Sequence, residues 1–461
     1  MNNSSPLRAA LALILVIFTG LHLSNAYSVL THEQIIDLTW KNGIRPTLLS
    51  RYPNATPAQL KEAHAFAYGG CVIQDQGYYP FGHPLESDLT HYVRTGDFVA
   101  ALIHDSRNIN ELAFALGALS HYVGDTIGHP EAVNTSTAVE FPKLEKKYGP
   151  SVTYEVSPHA HVRTEFAFDI DQLSKGRIAP SLYFNHIGLR VPTRLIQEAF
   201  YETYGLRLNS MLLNQRASYA TYRWSVRSFL PTIAYAEVLL HRKQLPPDVP
   251  SPEFDQYLKL LSQADFNSGW QKYRKTAGIK TRVIAAIIFI LPKVGPLAEL
   301  SIRGPQPETE EKYIASMNRS IARYDQLLAD LTHHPKDSPR LTMHLVNLDL
   351  DTGALAIPGT YRLMDTTYAK LLGRIVAVKN PIPATLKRNI QDYYSNPNSP
   401  ISTKKHLKAW RKVQQELTVL ESMPVVPDRD LPPSLTEGKP ATPQPSTPEP
   451  STSQPSTPQG N

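Results

Sequence analysis

Nine of the sixteen histidines lie between His32 and His161, under a third of the chain. Acidic residues accompany them at steps of four: His121, Asp125 and His129 in one run, His161 and Glu165 in another. Four residues make about one helical turn, so such side chains stack on one face of a helix. A stripe of this kind is either a solvated polar face or a set of metal ligands, because neutral imidazole and carboxylate are the nitrogen and oxygen donors that suit zinc. One His-x3-Asp is weak evidence; several such pairings in one region point much more strongly to ligands.

The chain around this region is long enough for two to four ordinary domains, at 461 residues, and 41% of it is hydrophobic, so a sizeable core is available. The net charge of +6 is spread out, with no dense Lys/Arg block of the kind that marks a nucleic-acid or anionic-membrane binder. The N-terminus reads as a signal peptide over residues 1–26. Arg8 supplies a short positive region, Ala9 to Leu21 is largely apolar, and Ser24-Asn25-Ala26 offers small residues for cleavage. The apolar run is too short to favour a membrane anchor. Cleavage after Ala26 makes Tyr27 the first residue of an exported chain, periplasmic or secreted. Cys71 is the only cysteine, so no intrachain disulfide is available, and it is expected as a small buried residue.

Residues 27–424 read as mainly α. Thr31 with Gln34, and Asn108 with Glu111, have the spacing of helix N-caps before apolar runs. Pro130 makes helical geometry unfavourable at His129, which is expected at a helix end. "VPTRLIQEAFYETYG" is a helix stopped by Gly205, and the long run from Asn214 to Lys243 is expected to kink at Pro231. "PETEEKYIASMNRSIARYDQLLADL" and "KKHLKAWRKVQQELTVLESM" are further helices; "LTMHLVNLDLDT" is the best strand signal. "VIAAIIFIL", from Val283 to Leu291, is too short to span a bilayer and is expected as a buried helix, with membrane contact as the alternative. From 425 to 461 the chain is dominated by Pro, Ser and Thr and reads as a disordered tail.

The segments "YSVLTHEQ", "AYGGCVIQDQGYYPFG", "SDLTHYVRTGDF", "NELAFALGALSHYVGDTIGHP" and "HAHVRTEF" resemble the zinc-dependent phospholipase C family, whose fold is shared with the S1/P1 nucleases. The resemblance runs from Tyr27 to about Leu206. It implies a helical, phospholipase C/P1 nuclease-like core over 27–206 with a cleft for up to three zinc ions. Residues 207–424 are then a helical continuation or a second helical domain. The resemblance implies one zinc held by Asp75, His91, His121 and Asp125, and a second held by His129, His161 and Glu165. It implies a third held by the Tyr27 amino terminus, His32 and a bridging Asp125. The family usually begins with tryptophan; the ligand atoms there are backbone, so Tyr27 preserves them. The step from Asp125 to His129 is shorter than in the best-known members. An α-amino group has a reference pKa near 8, so giving up its proton to a metal at neutral pH costs little.

Close zinc ions suit phosphate ester hydrolysis, because they lower the pKa of bound water toward 7 and neutralise phosphate oxygens. The expected activity is in-line attack of zinc-bound hydroxide on phosphorus, phospholipase C-like, with Asp75 as an additional general base. No G-x-S-x-G, C-x-x-C or P-loop competes with it, and His32-Glu33 does not continue as H-E-x-x-H. The expected substrate is a phospholipid or another phosphodiester, with peripheral membrane contact. Tyr78, Tyr79, Phe81 and Tyr92 flank Asp75 and His91, either as an aromatic wall for a cationic headgroup or nucleobase or as core packing. Two alternatives stand beside this reading: an S1/P1-type nuclease, disfavoured by the absence of a basic patch, and a metal-stabilised envelope protein without catalysis, disfavoured by the complete ligand set. His83 and His159 are candidates for support of the ligands. His64 and His104 are expected on or in helices, and His333-His334 in an exposed loop.

Overall fold

The computed structural model describes residues 28–241, 245–274, 304–333, 340–395 and 406–428. Signal segment, Tyr27, the "VIAAIIFIL" run and His334 lie outside the described residues. The rest is a helical assembly. In chain order its main helices are α1 (Val29–Thr39), α2 (Pro57–Gly70), α3 (Pro84–Tyr92), α4 (Thr95–Asp105), α5 (Ile109–Gly128), α6 (Pro158–Ser174) and α7 (Thr193–Tyr204). After them come α8 (Gln215–Trp224), α9 (Leu230–His241), α10 (Pro252–Ser268), α11 (Pro307–Thr332), α12 (Arg362–Val378), α13 (Ala384–Ser395) and α14 (Leu407–Ser422).

α5 is the axis of the core. Its residues from Leu112 to Asp125 are all buried, so it is apolar around its whole circumference apart from the polar side chains it aims at the site. α1, α2, α4 and α11 pack around it. The approach of α2 depends on Gly117: a Cβ there would lie 2.2 Å from the Ala67 carbonyl oxygen. No larger residue permits that crossing. The buried apolar cluster continues from Val29 to Met423, and α11 against α5 and α12 against α3 join the later helices to the earlier ones. Among the described residues, no helix is long and apolar enough to cross a membrane.

Several local expectations change in the folded chain. α1 starts two residues before Thr31, and the Asp169 carboxylate accepts Leu30 N–H and Thr31 N–H from across the fold. A neighbouring helix thus supplies the cap that Thr31 and Gln34 were expected to form. Asn108 does cap α5, accepting the amides of Asn110 and Glu111. His129 is no helix end: α5 runs into a wide π-turn, His129–Val133, and then into a helix over Asn134–Glu140. A second π-turn, Ser225–Phe229, stands just before Pro231 and joins α8 to α9. Proline lacks an N–H and its ring crowds the carbonyl four residues back, so an irregular turn beside it is expected. "LTMHLVNLDLDT" is not a strand but an irregular loop with one isolated bridge, Leu348 to Leu355. Order also extends past 425. Val425–Val426 (β2) pairs in parallel with Ile382–Pro383 (β1), and Asp428 accepts the Thr385 N–H at 3.0 Å.

Candidate metal centre

Each candidate ligand within the described residues sits on a helix or its margin and is buried. His32 comes from α1, Asp75 from a short 3-10 turn (Ile73–Tyr78), and His91 from α3. His121 and Asp125 come from α5, His129 from the π-turn, and His161 and Glu165 from α6. The four-residue steps place His121 with Asp125, and His161 with Glu165, one turn apart on single faces.

These side chains form three groups whose ligand atoms lie within 4.8 Å of one another: His32 with His121 and Asp125, Asp75 with His91 and His121, and His129 with His161 and Glu165. Asp125 turns Oδ1 toward His32 Nε2, 3.3 Å away, and Oδ2 toward His121 Nε2 at 3.0 Å and His91 Nε2 at 3.7 Å. One oxygen faces each of two groups, which is the disposition a bridging carboxylate needs. Asp75 Oδ1 lies 3.3 Å from His91 Nε2. Glu165 Oε1 lies 2.8 Å from His161 Nε2 and 3.8 Å from His129 Nε2. The step from Asp125 to His129 is an ordinary helical turn, with the His129 N–H donating to the Asp125 carbonyl, and the π-turn begins only at His129. Tyr27 lies outside the described residues, but Asp169, one turn beyond Glu165 on α6, fixes the start of α1 immediately after it.

The chemistry of this donor set fits metal ions. Both oxygens of Asp125, both of Glu165, and Nε2 of His129 and of His161 are buried without a hydrogen bond of acceptable direction, although some are within 3 Å of each other. Their lone pairs converge on common points instead of on one another. Among the described residues, the bases within ion-pairing distance of Asp125 and Glu165 are all histidines. Burying carboxylates together is costly unless cations settle the charge. The ionisation behaviour reflects that cost. Burial, and then the charges of Asp75, Asp125 and Asp351, push Glu165 well above the ordinary glutamate range. Burial pulls His161 down to about 3 and lowers His32 too. Burial also opposes charge on His121, but Asp125 and Asp75 prevail and raise it to about 9.

The rings are held by their second nitrogens. His121 Nδ1 is 3.0 Å from the Cys71 carbonyl, and His91 Nδ1 is 2.7 Å from the Ser87 carbonyl. An Nδ1–H donated to these oxygens leaves Nε2 free as the ligand. Cys71 is buried as expected; its carbonyl, one turn past the Gly117 crossing, is the part that serves the site.

Sequence reasoning missed Asp351. It lies in the loop read as a strand, far from the histidine-rich region, yet its Oδ1 is 3.2 Å from His129 Nδ1. Tyr361 OH and Tyr154 N–H donate to its Oδ2. Burial opposes its charge, but the hydrogen bond from His129 and the charges of His161 and His129 hold it below the usual carboxylate range. The turn that carries it is seated tightly: Gly353, at φ +66°, would place a Cβ 2.4 Å from the Thr126 carbonyl of α5. The only signal in the sequence is "DLDTG", an acidic turn with glycine, which is common in loops of no function.

The aromatic residues divide. Tyr78 and Tyr92 rings lie 6.0 Å from the His91 ring, whereas Tyr79 packs into the core against Tyr222. Phe81 is 54% exposed with φ at +65°, a strained position for a bulky side chain. His83 caps α3 by accepting Leu85 N–H. His159 is exposed, and His104 Nδ1 lies 2.8 Å from Asp105.

Residues 31–213 match the family model of zinc-dependent phospholipase C. That span contains all eight described candidate ligands and ends before Asp351. No curated protein and no solved structure gives a significant match. A helical fold, a zinc-dependent family and three buried groups able to hold metal ions together support a zinc-dependent hydrolase.

Proposed function

We propose that the chain is an exported zinc-dependent hydrolase of phosphate esters that acts on phospholipids in the manner of a phospholipase C. The observation that carries this reading is the adjacency of three buried His/Asp/Glu groups, two of them sharing His121, within the segment that matches the family. Zinc held there supplies Lewis-acid activation of water at neutral pH and neutralises charge on a phosphate. The chain's own residues do the rest. His32, His91, His121 and Asp125 gather the first two positions, His129, His161 and Glu165 the third, and the Tyr27 amino terminus completes the His32 position. The Cys71 and Ser87 carbonyls and Asp351 hold imidazole rings in the ligating tautomer. Asp75, fully buried beside His91, is placed to take a proton from the attacking water as well as to ligate. Tyr78 and Tyr92 border the His91 side and offer ring faces to a headgroup.

The test compares a phosphocholine ester with single-stranded DNA as substrate for zinc-loaded protein matured to a free Tyr27. Ester turnover that a chelator abolishes and zinc restores is the expected result. DNA turnover alone would move the chain to the nucleases. Activity on neither, with zinc bound, would leave a metal-stabilised protein of the envelope.

A further inference from the structure

α1 also carries a buried carboxyl on another face. Asp37 lies five residues beyond His32, about 140° around the helix, and so points away from the metal groups. It borders a cavity of about 470 Å³, within the range of small-ligand pockets, whose lining includes none of the candidate zinc ligands.

The floor of this cavity is an unusual pair. Asp37 is 4% exposed and His64 3%. Among the described residues no Lys or Arg ion-pairs with Asp37; its partner is the Tyr68 hydroxyl, which donates to Oδ1. His64 Nε2 is 3.8 Å from that oxygen, beyond hydrogen-bond reach, and has no hydrogen-bond partner among the described residues. Burial raises Asp37 to about 8 against the Tyr68 hydrogen bond, and lowers His64 to about 3, so both groups favour their neutral forms until a ligand brings a charge. The His64 ring is clamped flat between Trp40, with centroids 3.9 Å apart, and Tyr68, at 4.6 Å. Trp40, Tyr183 and Tyr273 complete the walls. A buried carboxyl with no Lys or Arg ion pair among the described residues, in a cavity that Trp40, Tyr183 and Tyr273 also line, matches an organic ammonium group, whose charge favours the ionised carboxylate.

The mouth has the opposite character. Lys41, Arg45 and Lys61 line it and are exposed, and Lys41 Nζ reaches across to Asn267 Oδ1 at 2.7 Å. Three cations repel a simple ammonium ion unless it carries an anionic end that stays at the mouth. A phosphate, with up to two negative charges, fits that demand.

We propose that this cavity is a second ligand site, separate from the metal centre, for a small phosphorylated amine. The ammonium sits against Asp37 and the rings, and the phosphate sits among Lys41, Arg45 and Lys61. The inference rests on the cavity and not on the hydrolase reading, and its test needs no turnover. The same chemistry exists in a free phosphoamine and in a lipid headgroup, and the experiment separates them.

Phosphocholine is titrated into the zinc-loaded full chain by calorimetry, binding that Asp125→Ala removes is assigned to the metal centre, and the remainder is compared with Asp37→Asn and with the double variant Arg45→Glu/Lys61→Glu. Zinc content and melting temperature serve as controls for folding. At least a tenfold loss of affinity in both variants is expected. Choline should weaken only with Asp37→Asn, and inorganic phosphate only with the double variant. Sedimentation with phosphatidylcholine vesicles then assigns the source: vesicle binding lost in the double variant means a headgroup still on its lipid, and loss of free phosphocholine alone means the soluble compound. No phosphocholine binding, or equal affinity in wild type and the double variant, overturns the proposal. The substituted residues of the double variant are exposed, so it decides the matter even if Asp37→Asn fails to fold.

Discussion

The segment from α1 to α7 and the continuation from α8 to α14 use charge in different ways. In the first, His, Asp and Glu are buried in converging groups, and among the described residues no lysine or arginine ion-pairs with Asp125 or Glu165. A buried carboxylate of the second, Glu310 on α11, is instead met by lysine and arginine: Lys175 and Arg177, which follow α6 in the first segment, reach it at 2.7 and 3.0 Å. The second arrangement is complete as protein. The first is complete only with cations added. Asp351 joins the two regions: it belongs to the continuation by position, yet it braces a ring of the metal centre. The continuation is thereby part of the site's support.

The comparison breaks most easily at Asp125, which faces two groups at once. Asp125→Ala is expected to lower turnover of a phosphate ester by at least about 10²-fold, the scale of losing one electrostatic stabiliser. It should also lower zinc content per chain. Unchanged zinc would make Asp125 a structural acid, no different from Glu310. Next comes Asp351→Ala. If the continuation supports the site, zinc affinity or activity should fall about 10–100-fold, as for other partners of metal-bound histidines. A competition titration with a zinc chelator measures it, and an unchanged affinity would separate the two regions again.

A smaller effect concerns pH. Glu165 is held well above its ordinary range by burial and by neighbouring carboxylates, so without metal it holds its proton to a higher pH than an ordinary glutamate. Ligation removes that proton. Zinc affinity at the His129–His161–Glu165 group should therefore fall as the pH falls, by about tenfold per unit for one proton. Calorimetry in two buffers of different ionisation heat reads the released proton directly; zero release would contradict the assignment of Glu165. The smallest effect is Tyr361→Phe. It removes one hydrogen bond to Asp351, a net loss of about 0.5–1.5 kcal/mol. The expected result is a few-fold weaker zinc binding with the fold intact, measured by the same competition titration.

The ligands were legible in the sequence because helices write contacts as spacing. His121 with Asp125, and His161 with Glu165, are neighbours in space because they are four apart in the chain. The supports were not legible. Asp351 reaches His129 across 222 residues, and the Asp169 carboxylate caps α1 across 138 and 139 residues. Only tertiary packing creates those contacts, and no local period records them. Pro130 misled for a related reason: it argued for a helix end at His129, whereas a π-turn carries the chain on into the next helix; at Pro231, where a kink was expected, a π-turn stands just before the proline. The Val425–Val426 strand was hidden by the composition of the segment that follows it.

The central claim is that the three buried groups hold zinc. Elemental analysis of the full mature chain, with Tyr27 at a free amino terminus, tests it most directly. About three zinc ions per chain are expected, one for each group, with one fewer when an N-terminal extension blocks the amine. One ion or none in the unextended protein would contradict the account and leave the converging carboxylates without an explanation.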